Sequence, residues 1–202
     1  MSSKTASRPW PVARQLALAF GSVLLLLAVV ASLGAWSLRS TLVATQSLYE
    51  DRVEPLEQLG TIRYLGARDR LLLTDAVIKA QADVTARRLK EFEANRETSA
   101  RQWKAYMGTY MADDEKALAK TTEAAMQAFV DQALQPTARA LAAGKHDEAR
   151  TLLDGKVSPL NPAFSKALDD LMDLQVKTAK ADYDRSHAQG QQALLALAVL
   201  SL

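Results

Sequence analysis

The chain has 202 residues, 49% hydrophobic and 24% charged, with a formal charge of +2, a pI near 8.8 and no cysteine. The missing cysteine excludes thiolate metal sites, iron–sulfur clusters, cysteine nucleophiles and every disulfide framework. The net charge and the mean hydropathy of −0.10 average over a very uneven distribution, so neither decides the class by itself.

The first fourteen residues carry Lys4, Arg8 and Arg14 and no acid. No charge follows until Arg39, and Leu16 to Leu38 is dominated by Leu, Val and Ala. Roughly 23 helical residues reach about 35 Å, enough for a hydrocarbon core of about 30 Å. A cleaved signal peptide has an apolar region of only about 7–15 residues. Length and the interfacial Trp36 therefore predict a transmembrane helix over residues 15–38. By the positive-inside rule residues 1–14 are cytoplasmic and residues 39–192 lie outside. Setting aside Lys4, Arg8 and Arg14, the remaining chain carries 22 basic and 23 acidic residues with no basic stripe, which excludes a nucleic-acid partner.

The exterior segment shows no strand-like alternation, and Ala, Leu, Lys, Glu, Gln and Arg, all good helix formers, dominate it. A first helix is predicted from the membrane through Leu73, with Pro55 in its middle or at a kink. Its apolar positions Val53, Leu56, Leu59, Ile62 and Leu65 recur every three residues and so wind around the helix. Such a stripe suits two contact surfaces, a bundle core and a second subunit; a broadly buried single helix is the other reading. After a polar stretch at residues 74–83, a second helix is predicted over residues 84–111, with a seam at Leu89, Phe92, Arg96, Ser99, Trp103, Tyr106 and Tyr110. Ala112-Asp113-Asp114 is a turn and cap. The third helix runs from Glu115 to a C′ glycine at Gly144, and residues 145–153 form one short extra helix. Ser158-Pro159 and Asn161-Pro162 pair capping side chains with prolines and start a fourth helix. Phe164, Leu168, Leu171 and Leu174 form its apolar face. From Ala193 the sequence is apolar to Leu202, about 15 Å of helix, so residues 193–202 are expected to begin a second span that the chain truncates. The predicted fold is all-α: an up-down-up-down four-helix bundle continuous with transmembrane helices.

Catalytic material is poor. His146 and His187 fall in a connection and in a membrane-proximal helix, and neither belongs to a metal-binding spacing. There is no phosphate loop or nucleophile elbow, and no cofactor is expected. The candidate binding residues are Arg63, Arg68 and Arg70. Arg63 and Arg70 are seven apart and share a face within about 20°, whereas Arg68 points about 140° from Arg63. Guanidinium forks match a ligand carboxylate bidentately, and two copies of the helix would bring enough of them together. The alternative is a solvated face on which Arg70 pairs with Asp69 or another local acid.

The layout, with Tyr49-Glu-Asp-Arg-Val-Glu-Pro-Leu-Glu-Gln-Leu59 and Ile62-Arg63, resembles the periplasmic four-helix-bundle sensor domain of bacterial methyl-accepting chemotaxis proteins. The enteric aspartate and serine receptors of that family carry an Arg-x4-Arg-x3-Arg pattern on the first helix. Arg63 and Arg68 match its first two positions, and the third falls on Leu72. A Gln-Pro-Thr near the start of their last helix is replaced here by Ser158-Pro159-Leu160. The resemblance implies an inner-membrane homodimer that binds a small carboxylate-bearing metabolite and is coupled downstream to a histidine kinase and adaptor. The alternatives are the input domain of a sensor histidine kinase or cyclic-dinucleotide enzyme, and a tethered structural bundle without a small ligand.

Overall fold

The structure is a computed structural model and describes residues 11–200; Lys4, Arg8 and the last two residues of the expected second span lie outside them. The helices are α1 (Val12–Leu48), α2 (Glu54–Lys79), α3 (Ala82–Met107), α4 (Asp113–Phe129), α5 (Gln135–Ala142), α6 (His146–Leu152) and α7 (Ser158–Leu200). Three π turns interrupt them, at Tyr49–Val53, Val130–Leu134 and Leu153–Val157. The chain divides into two compact units, Ser47–Tyr183 and Met1–Gln46 with Asp184–Leu202.

Each π turn ends two residues before a proline: Pro55, Pro136 or Pro159. A proline lacks the N–H for the bond to the carbonyl four residues back, and its ring collides with that carbonyl. Widening the preceding turn by one residue relieves the collision without ending the helix. The third predicted helix is thus α4, a π turn and α5. The same effect overturns the capping role expected of Ser158: the π turn runs straight into α7, Ser158 has helical φ −61° and ψ −48°, and Pro162 lies inside the helix.

Within Ser47–Tyr183 an antiparallel four-helix bundle forms from α2, α3, α4 with α5, and α7, with α6 a short connection. Its core is built from Leu59, Ile62, Leu72 and Leu73 of α2, Phe92, Trp103 and Tyr106 of α3, Phe129 and Leu134 of the third segment, and Phe164, Leu168 and Leu171 of α7. Several boundaries differ from expectation. The third segment starts at Asp113, so Asp113 and Asp114 lie in the first turn of α4 instead of a preceding turn, and the N-cap Ala112 makes no side-chain cap bond. The first helix continues past Leu73 to Lys79 because Ala76 and Val77 are core residues and Asp75 pairs with Arg88 of α3 at 2.8 Å. That hydrogen bond holds the Asp75 carboxyl below its ordinary range. The helix stops where Ala80 turns left-handed, φ 47°. The second helix ends at Met107, so Tyr110 leaves the seam and is exposed while Met111 is buried. Gly144 takes the predicted left-handed conformation, φ 70°, and Lys145 N–H donates to Ala140 O at 2.9 Å.

In the other unit, the N-terminal helix is long and apolar enough to cross a membrane, and its apolar stretch is not buried. Phe20, Leu24, Leu25 and Trp36 are all exposed.

Candidate functional site

Three consecutive charged residues of α2 fan out at 100° per residue into three environments. Arg68 turns to α3, where its Nε donates to Glu91 Oε1 at 2.7 Å. That bond and the Glu91 charge raise the Arg68 pKa. Asp69 turns into the core and is fully buried; Asn95 Nδ2 donates to its Oδ1 at 2.7 Å and Arg96 Nε lies 2.6 Å from its Oδ2, close but off hydrogen-bond direction. Burial pushes the Asp69 carboxyl up to about 6, against the opposing pull of Arg96 and Asn95. Arg70 turns to the flank facing α7, about 100° from Asp69 on the side away from Arg68, and its guanidinium has no ion pair or hydrogen bond among the described residues. The pairing of Arg70 with Asp69 that the alternative reading allowed does not form, because Asp69 is spent on α3.

Arg70 and Arg63 line one groove of about 410 Å³ between α2 and α7. Gly60 and Ala67, also seven apart, line it as well, Ala67 between the arginines and Gly60 one turn before Arg63, with Tyr64 beside them. From α7 come Asn161, Ser165 and Met172. The small residues keep the α2 backbone open: a Cβ on Gly60 would approach nothing nearer than Met172 Cε at 4.0 Å. Arg63 is held by Asp169 of α7, Nε to Oδ1 at 2.9 Å, with both side chains about half exposed. An exposed pair of this kind is worth only about 0–1 kcal/mol, so an incoming carboxylate can displace Asp169 at small cost.

Of the three candidate arginines, then, two face one groove and Arg68 faces the α3 side. Asn161 and Ser165 were not anticipated as lining residues; Asn161 reads as a helix cap in the sequence. Their spacing, with Met172, puts them on one face of α7, but which face meets the arginines is a property of the packing. The groove offers two cationic forks, an amide, a hydroxyl and an aromatic edge, a set suited to a small anion carrying further polar groups. Among the described residues no cluster of three or more His, Asp or Glu side chains is placed to hold a metal ion.

A family model, the Tar ligand binding domain homologue, matches residues 8–179. No curated protein and no solved structure matches the chain.

Proposed function

Because the chain belongs to the Tar ligand binding domain homologue family, a ligand-binding sensor module of membrane chemoreceptors rather than a catalytic family, we propose that it detects a small carboxylate-bearing metabolite, an amino acid or organic acid. In this reading Arg63 and Arg70 bind the carboxylate, and Asn161 and Ser165 of α7 hydrogen-bond its other polar groups. The observation that carries it is the free Arg70 guanidinium in the same groove as Arg63.

The groove is open on one side, and a second copy of α2 would close it. Support comes from the face of α2 turned from the core, where exposed Tyr64, Leu71 and Ile78 recur every seven residues and alternate with half-buried Gly60 and exposed Ala67. This is a three-and-four seam of the coiled-coil type, and Arg63 and Arg70 flank it. We place the seam in a homodimer with the ligand at its edge. Residues 1–14 are assigned to the cytoplasm, 15–38 to the first span, 39–192 to the periplasm and 193 onward to a second span of the inner membrane. The exposed apolar stretch of the N-terminal helix supports the first span, and the charge bias around it supports the orientation. Since α7 carries groove residues at one end and reaches Leu200 at the other, ligand binding signals by shifting α7 against α2. For this, the ligand must favour one of two arrangements.

Thermal-shift and calorimetric titration of the full chain against amino acids and di- and tricarboxylates tests this. A stabilising ligand is expected, with affinity reduced about 10- to 100-fold in Arg70→Ala or Arg63→Ala, as for loss of a charge-assisted hydrogen bond. Arg68→Ala in the same titration separates a ligand role from its bond to Glu91. A ligand that binds both Arg63→Ala and Arg70→Ala with full affinity, or no ligand in the panel, overturns the proposal.

A further inference from the structure

At one end of the Ser47–Tyr183 unit, α3, α4, α7 and the π turn that leads into α2 meet at a buried carboxylate. Glu115, in the first turn of α4, is only 4% exposed. It accepts hydrogen bonds from Tyr106 Oη of α3 at 2.8 Å and from Gln175 Nε2 of α7. Arg52, in the π turn before α2, brings Nη1 to 3.9 Å from Glu115 Oε2 and donates to Gln175 Oε1 at 3.4 Å. Its Nε lies 3.3 Å from Asp182 Oδ2, further along α7. Burial, reinforced by the Glu115 carboxylate, holds the Tyr106 phenol well above its ordinary pKa, so Tyr106 stays a donor.

Stability alone does not call for this cluster. Dehydrating a carboxylate and a guanidinium is costly, and apolar side chains of similar volume would hold the segments together at least as well. What a directional polar cluster adds is register: the contacts form at one relative position of the helices and at no other. The two α7 partners of Arg52, Gln175 and Asp182, are seven residues apart, about 10.5 Å along the helix axis. A single guanidinium bridges both only while α7 stands at one axial height. The 3.3 and 3.4 Å contacts already lie beyond the usual hydrogen-bond mode, so an axial shift of about 1–2 Å breaks one of them.

We propose that Arg52, Glu115, Gln175 and Asp182 form a detent that fixes the resting register of α7 against α2 and that must open when α7 shifts. The inference rests on the α7 displacement proposed above, but the register itself is measurable without any ligand. The absence of native cysteine allows spin labels to be placed without background. In the full chain in lipid nanodiscs, with labelled chains diluted among unlabelled ones, electron–electron distances are measured for Lys79→Cys with Lys177→Cys, across α2 and α7. The control pair, Lys79→Cys with Lys104→Cys, lies within the α2–α3 hairpin. Arg52→Gln is expected to shift or broaden the first distance by about 1–2 Å or more and to leave the control distance unchanged. An unchanged first distance, or equal broadening of both pairs, overturns the detent. Should Arg52→Gln lose helicity, Asp182→Asn, which alters a partly exposed partner, is read by the same two distances. Neither result bears on the carboxylate titration, so the two proposals fail separately.

Discussion

Asp69 occupies a position that the spacing of α2 reserves for an apolar side chain, between Leu65 and Leu72. It is fully buried and its carboxyl is pushed up to about 6. The folded chain therefore binds this proton more tightly than the unfolded chain, whose aspartate titrates at its ordinary value near 3.8. The stabilising contribution is complete below about 3.8 and is lost as pH rises through about 6. Thermal unfolding followed by circular dichroism should show stability falling between pH 4 and 7, by an amount of the order of 2–3 kcal/mol. Asp69→Asn should flatten that profile. Asp75, held below its ordinary range by Arg88, contributes the opposite slope, lost as pH falls, and does so only below pH 4. A wild-type profile that is flat or rises between pH 4 and 7 would show that Arg96 outweighs burial at Asp69.

At the scale of helices, the approach of α2 to α7 depends on one glycine. A Cβ on Gly66 would lie 2.5 Å from Phe164 Cε1 and 2.6 Å from its Cζ. That ring cannot retreat freely, because it is buried and stacked on Phe129 with centroids 4.7 Å apart. Gly66→Ala sets an overpacking cost of about 1–3 kcal/mol against a gain in helix propensity of about 1 kcal/mol, and should lower the melting temperature. Gly60→Ala gains the same propensity without the clash, since its new Cβ meets only Met172 Cε at 4.0 Å. It should raise the melting temperature. Opposite signs for two glycines on the same helix, six residues apart, would locate the tight contact; equal signs would contradict it. The π turns belong to this scale too: each lets a helix carry a proline and keep going, which is why the bundle segments are longer than the proline positions suggest.

For the whole molecule, the exposed seam of α2 is the surface that the isolated chain leaves open. Leu71, 57% exposed, stands in that seam and away from the core. Leu71→Asp should convert the full chain in detergent from dimer to monomer, as read by sedimentation, with helicity retained. A dimer of unchanged strength would place the subunit contact elsewhere. The groove at Arg63 and Arg70 shares Gly60, Tyr64 and Ala67 with the seam, so loss of the proposed dimer should also weaken the proposed carboxylate binding.

Much of this was legible in the residues. Helix-forming composition, the lack of strand alternation and the apolar run between Arg14 and Arg39 determined an all-helical chain with a membrane-length segment, because helix propensity and transfer of apolar surface are local and additive. Gly144 and the Arg63–Arg70 spacing were equally local, the one a backbone conformation and the other a matter of helical periodicity. Tertiary structure decided what each charge meets. Arg68, Asp69 and Arg70 are adjacent in sequence and of similar polarity, yet one staples a hairpin, one is buried and one opens on a groove. The Glu115 cluster draws on Arg52, Tyr106, Gln175 and Asp182, residues spread across 131 positions. Their relation is set by the axial register of packed helices, which depends on interlocking side chains from several segments at once and leaves no periodic trace in any one of them.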